Sequence, residues 1–382
     1  MRAANARPLA LRAVNYPLLS TVLLLAVYGS VVVGSAVSGM QYGDVMFRRH
    51  LFGLFVGLIP LVLVWIFDYR SLHGWLGPLV LLDALLIISP RIPGLGATAG
   101  GATSWLQIAG VRLFQPSEPA KLVTIVIMAI VISNYRGRIE TAGELGKVLG
   151  MLAIPLALIL LQPDLGTGMV FVAITMGMLL VGGLKARWFA VLAVVGVLLV
   201  GGLFRLDAVV DRATGSDHLI KQYQRDRLTV FVDPTADPRG AGYNLEQSKI
   251  AIGSGELRGK GLGSGTQGNL NFLPERHTDF IFSVLGEELG FAGAMLLLGL
   301  YLGLLISALE ISTSSRDLFG ALIVAGIISM WTFQILENVG MTIGLMPITG
   351  IPLPFMSFGS SFMVTNLTAV GMLLSVWTRR YA

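Results

Sequence analysis

The chain has 382 residues, of which 54% are hydrophobic and 13% charged, with a formal net charge of +5 and no cysteine. Soluble domains carry roughly 25% charged residues, so this balance excludes an ordinary soluble fold, and the missing cysteine excludes disulfides, thiolate metal sites and a cysteine nucleophile. The positive charge reads as membrane topology and attraction to anionic membrane lipid, with no nucleic-acid partner implied.

In chain order, apolar runs near the roughly 20 residues needed to cross a bilayer predict ten transmembrane helices. They lie at 17–37, 48–67, 72–89, 117–134, 148–161, 167–183, 187–205, 279–308, 317–338 and 358–377. Together they predict an all-α polytopic membrane protein, a single integral membrane domain over 1–382. Arg2, Arg7 and Arg12 before the first run give it the look of a signal peptide. The run is too long for an h-region and is followed by others like it, so an uncleaved first helix is expected.

Arg and Lys concentrate in the terminal segments and in the loops near 68–71, 134–147, 184–187 and 309–316, and are sparser in the opposite short loops. Positive residues favour the cytoplasm, so both termini are expected there. The segment from about 206 to 278 then forms a long extracytoplasmic loop between helices seven and eight. Its DP, ADP and PRG clusters signal turns, and 244–252 reads as a short helix lying at the interface.

Ionisable groups at membrane depth are costly and face a cavity or one another by default. Four clusters at the outer ends of the helices therefore stand out. In "LPERHTDFIFSVLGEELGF", Thr278 and Asp279 open the eighth span. An N-cap accounts for Asp279, and a capping carboxylate at a water–lipid boundary can also serve as a general base. Glu287 and Glu288, deeper in the same span, are expected to pair with neighbouring helices. "FQPSEPAKL" opens the fourth span, with Glu118 and Lys121 one turn apart. That spacing suits a salt bridge, while Lys121 or Arg112 also suits contact with an anionic lipid substrate. "LQPDLGTG" presents Asp164 at a bent backbone, as a cap or turn or as an outward carboxylate. "PITGIPLPFMSFGSS" is rich in proline and predicts a re-entrant or extended loop.

Other motifs fail. "GSGELRGKGLGSG" has Ser254 and Gly261 where a phosphate loop needs Gly and Ser or Thr. His50, His73, His218 and His277 lie in different segments without ligand spacing, so a structural zinc site is not expected.

The motifs "LPERHTDFIFSVLGEELGF", "FQPSEPAKL", "QPDLGTG" and "NVGMTIGLMPITGIPLPF" resemble those of the shape, elongation, division and sporulation family, in the same order and over nearly all ten spans. "GYNLEQSKIAIGSG", "GTQ" before "FLPERHTDF" and "GMTIGLMPITGIPLPF" are most similar to its rod-shape branch. The resemblance implies a peptidoglycan glycosyltransferase of the bacterial cytoplasmic membrane, active on its outer side. Its substrates would be lipid II and the nascent glycan, and its partner a class B penicillin-binding protein that crosslinks the strands. It further implies Asp279 as the essential catalytic residue, with Glu118, Lys121 and Asp164 carried over from the family motifs. Arg276, Arg112 and Ser357 complete the expected substrate-binding set. The resemblance implies no certain cofactor; the charge developing on the leaving pyrophosphate calls for cations, which Arg112, Lys121, Arg276 or a divalent cation such as Mg2+ or Mn2+ could supply. The sequence departs from the family pattern at Ser360, where a second Gly is usual, and at Ser104, where Arg is common before Trp105; Arg112 stands one place further from "FQPSE" than in relatives. A lipid II flippase and a non-catalytic scaffold for the crosslinking partner are the competing readings.

Overall fold

The computed structural model describes residues 14–381 except 100–101, 109–110, 215–224, 226, 228, 232, 234–236, 238–239 and 267–271. It is mostly helical. The helices are α1 (Tyr16–Val37), α2 (Gly43–Ile66), α3 (Leu76–Ile88), α4 (Ser117–Ser133), α5 (Ala142–Leu160), α6 (Leu165–Val181), α7 (Ala186–Thr214), α8 (Ala241–Ser254), α9 (Ile281–Thr313), α10 (Leu318–Ile343) and α11 (Ser360–Thr378). Among the described residues, α1, α2, α5, α9, α10 and α11 are long and apolar enough to cross a membrane, and shorter apolar helices include α6 and the first half of α7. A bilayer provides no hydrogen-bond partners for the backbone, so contiguous apolar sequence folds as helix.

Short polar signals set the helix ends. Asn15 Oδ1 accepts the Leu18 N–H at 2.8 Å and Pro17 sits in the first turn of α1. Thr141 and Glu144 form a reciprocal capping box on α5, and Asp317 caps α10 by accepting the Gly320 N–H at 2.7 Å. Packing depends on small residues, as expected where lipid supplies no hydrophobic drive between helices. Gly53 and Gly57 of α2 lie so close to α11 that a Cβ would stand 2.8 Å from Ser360 Cα and 2.6 Å from Leu367 Cδ1. α4 is buried on nearly every side and forms the centre of the bundle.

Helix α9 is broken where the polar pair Glu287–Glu288 falls. Gly290 has φ +64, inside an otherwise helical run. The freed backbone groups are taken up by the stretch 255–261. Lys260 and Gly261 donate their N–H groups to the Glu287 and Glu288 carbonyls at 3.0 and 2.9 Å, while Phe291 and Ala292 donate to the Glu256 and Leu257 carbonyls at 2.8 and 3.0 Å. A Cβ on Gly290 would collide with the Gly259 nitrogen, so glycine is required there for space as well as for φ. Glu288 accepts the Ser35 hydroxyl of α1, the helix pairing expected of it, whereas Glu287 pairs at 2.7 Å with Lys260 of the non-helical stretch 255–261 rather than with a helix.

Three expectations are corrected. The fold is not purely helical: β1 (Gly96–Ala99), β2 (Ala102–Ile108) and β3 (Val111–Phe114) form an antiparallel sheet in the order β1-β2-β3 between α3 and α4. Small residues around the turns hid its alternation. α10 runs to Ile343, taking up residues 339–343 that were read as loop. α7 continues to Thr214, into the segment read as the long loop. α8 covers the predicted short helix, and Gly242, Leu245, Ser248 and Ala251 are buried. The Ser248 hydroxyl bridges Ser283 of α9 at 2.6 Å and the Thr342 carbonyl of α10 at 2.7 Å. His218 lies outside the described residues.

Candidate active site

The proline-rich stretch 345–359 forms neither helix nor strand, yet it enters the bundle. Leu353, Phe355, Met356 and Ser357 are fully buried. Tyr301 of α9 donates to the Pro354 carbonyl at 2.6 Å, and Trp331 of α10 meets the Phe355 ring edge-on at 5.7 Å. Irregular backbone is tolerated at this depth because protein surrounds it.

This stretch is the fourth polar cluster of the sequence, and it touches the other three. Ser361, just beyond it, accepts the Gln115 N–H at 3.1 Å beside the mouth of α4. The Thr349 carbonyl would lie 3.1 Å from a Cβ on Gly166, at the mouth of α6. Ser357 donates to the Thr278 carbonyl at 2.6 Å, and the Phe358 N–H donates to the His277 carbonyl at 2.9 Å. A Cβ on Gly350 would stand 2.9 Å from Asp279 Oδ2. Motifs far apart in sequence thus share one end of the bundle.

Asp279 sits in a turn before α9. The N–H groups of Thr278, Asp279 and Phe280 all point at the Glu275 carbonyl, at 3.2, 3.1 and 3.3 Å. The expected N-cap role is corrected: Phe280 occupies the cap position, with no side-chain cap bond. The Asp279 carboxylate is half-buried. Burial, reinforced by the negative charge of Glu275, pushes its pKa up to about 7, against the opposing effects of Arg227 and a Thr278 hydrogen bond. A carboxylate poised near neutrality suits a general base. Asn338 of α10 holds this turn, donating to the Asp279 and Ile351 carbonyls at 2.8 Å each. A small apolar cluster of Val230, Leu245, Leu273, Phe280, Met341 and Ile348 supports it.

The other predicted residues are placed as follows. Lys121 and Glu118 form a buried pair at 2.9 Å, and Lys121 Nζ lies 5.5 Å from the Phe362 ring centroid. Asp164 caps α6, accepting the Thr167 N–H at 2.9 Å and its hydroxyl at 2.8 Å. Arg276 is buried and donates to the Ala36 and Ser38 carbonyls at 2.7 and 3.2 Å, where the C-terminus of α1 favours a cation. Ser357 is spent on the Leu353 N–H and the Thr278 carbonyl. Arg112 lies in β3 opposite Gln107. Sequence reasoning missed Arg227, which donates to the Thr349 carbonyl at 2.9 Å, and Asn338. Arg227 belongs to no recognised motif; Asn338 stood in plain view as a polar residue at the edge of an apolar span.

The fold and site together define a class: a polytopic membrane protein in which an irregular stretch enters the bundle and packs against the turn carrying a half-buried carboxylate, Asp279. The chain belongs to the cell cycle protein family of FtsW, RodA and SpoVE, whose pattern it matches over residues 16–382. It is 36% identical over 363 residues to the peptidoglycan glycosyltransferase MrdB of Escherichia coli K12, covering 95% of this chain and 93% of that protein. It is also 36% identical over 363 residues to stage V sporulation protein E of Bacillus subtilis, covering 94% of each. Among solved structures, it resembles a chain of a peptidoglycan synthase complex described as coordinating polymerisation and crosslinking, with a TM-score of 0.74, 30% identity and coverage of 95% and 97%. The Thermus thermophilus rod shape determining protein RodA is similar with a TM-score of 0.67, 28% identity and coverage of 96% and 97%.

Proposed function

We propose that this chain is a peptidoglycan glycosyltransferase that polymerises lipid II at the outer face of the bacterial cytoplasmic membrane, serving cell elongation and rod shape. The observation that carries the mechanism is the Asp279 carboxylate, tuned toward neutrality and set against the Gly350 backbone of the entering stretch, with Arg227 beside it. Asp279 takes the proton from the 4-hydroxyl of the acceptor's terminal GlcNAc as that oxygen attacks the anomeric carbon of the donor. The new β-1,4 C–O bond forms as the bond to pyrophosphate breaks, with inversion, and undecaprenyl pyrophosphate leaves. The leaving group is a good one, so positive charge matters more than a general acid.

Lys121 and Arg276 hold protein groups in the structure, so within this reading they shape the site electrostatically, and Arg227 joins them as a cation beside Asp279. No group of three or more metal-ligating side chains occurs among the described residues. A divalent cation therefore fits best as one brought by the pyrophosphate and held by one or two carboxylates, as Mg2+ commonly is.

Ten membrane spans with both termini in the cytoplasm complete the reading, supported by the positive-inside pattern. A class B penicillin-binding protein is the partner, a reading supported by the resemblance to a chain of a polymerising and crosslinking complex. The test is glycan formation from labelled lipid II in detergent, where no leaflets exist and a pure flippase yields no polymer. The wild-type chain with its partner is expected to make polymer and Asp279→Asn none. Polymer formed at the normal rate by Asp279→Asn would falsify the base assignment.

A further inference from the structure

Glu337 of α10 is fully buried. One of its oxygens accepts the Thr349 hydroxyl; among the described residues the other accepts no hydrogen bond. Thr349 is also held through its carbonyl by Arg227, and the next residue, Gly350, lies against Asp279 Oδ2. Gly350 has φ +76, so this turn has one tight geometry. Arg227 acts electrostatically on both Asp279 and Glu337, and the charge of Asp279 acts on Glu337. A buried carboxylate used only to receive one hydroxyl is an expensive choice where a glutamine would serve. A carboxyl group at this position therefore calls for a use.

We propose that Glu337 is a positioning residue for Asp279, holding the Thr349–Gly350 turn against its carboxylate and placing a second negative charge beside it. The inference rests on Asp279 acting as the base. Arg227 faces the pair from the segment before α8, and Glu275 and His277 belong to Asp279's own turn. Lys249 of α8 sits over Gly344 at the C-terminus of α10, and Asp164 stands at the mouth of α6, engaged by Thr167. The 345–359 stretch contributes no titratable side chain. Glu337 is thus the acidic residue α10 directs to this turn, and its removal leaves Arg227 less opposed.

The experiment is a pH profile of lipid II polymerisation by the full-length chain with its class B partner. Glu337→Gln keeps an oxygen for the Thr349 hydroxyl but lacks the charge. Its acid limb is expected to move about one unit to lower pH, because a like charge near Asp279 is gone. Thr349→Val is expected to slow polymerisation about tenfold through the lost hydrogen bond, and Thr349→Ser to restore most of the rate. An unshifted acid limb in Glu337→Gln overturns the proposal. If that variant does not fold, the Thr349 pair decides: a wild-type rate in Thr349→Val overturns it. An active Asp279→Asn would instead remove the base assignment itself, so the two failures are distinguishable.

Discussion

The Ser357 hydroxyl donates to the Thr278 carbonyl at 2.6 Å while accepting the Leu353 N–H at 2.8 Å. One buried side chain thereby ties the stretch entering the bundle to the turn that carries Asp279. Ser357→Ala removes both bonds and leaves a buried N–H and a buried carbonyl without this partner, at a cost of about 1–3 kcal/mol. A lower denaturation midpoint in detergent and a fall in kcat larger than any rise in KM are expected. A wild-type midpoint would show that the stretch is anchored elsewhere.

The kink of α9 predicts a contrast between two glycines in one helix. Gly290→Ala places a Cβ at φ +64 against the Gly259 nitrogen and is expected to abolish most folded protein. Gly299→Ala meets nothing within 4 Å, lies in regular helix, and is expected to be neutral or stabilising by about 0.5–1 kcal/mol. Monodisperse yield by size-exclusion chromatography reads both. Equal yields would contradict the kink's role.

The raised pKa of Asp279 predicts the acid limb of the pH–rate profile. A base must be ionised; a group shifted up to about 7 is protonated below that pH and ionised above it. Polymerisation is therefore expected to fall as pH drops through about 7, not near the ordinary carboxylate value of roughly 4. Glu275→Gln removes a charge that raises this pKa and is expected to move the limb to lower pH. A wild-type limb near 4 would show that Asp279 is not buried as described.

The buried Glu118–Lys121 pair predicts non-additive substitutions. Removing one partner strands a buried charge and costs about 3–5 kcal/mol, so Lys121→Met and Glu118→Gln singly are expected to lose stability. The double variant is expected to recover much of it. Lipid II polymerisation by a folded double variant then separates two roles: activity retained marks a structural pair, and activity lost marks a pair that meets substrate.

Much of the helical framework was legible because lipid imposes a local rule, that apolar segments satisfy their own backbone. The same rule misled at α10, where Asn338, Gly340 and Thr342 read as the end of a span but are buried by α8 and the entering stretch. Asp279 was legible through its motif and its place before an apolar run. Glu337 was passed over although an acidic residue inside the ninth span is a signal in itself; what it does was not legible, because nothing local shows that Thr349 faces it.

By itself the sequence determined the membrane class, the positions of most helices and the four polar clusters that needed an explanation. Those properties follow from hydrophobicity and turn chemistry acting over a few residues. The tertiary structure decided what each polar group does. Arg276 is a cation that finds the carbonyls ending α1, Glu288 a carboxylate that finds Ser35, and Ser357 a hydroxyl that clamps two loops. Such roles depend on which backbone groups are brought within 3 Å across long stretches of chain, and local periodicity carries no information about that distance.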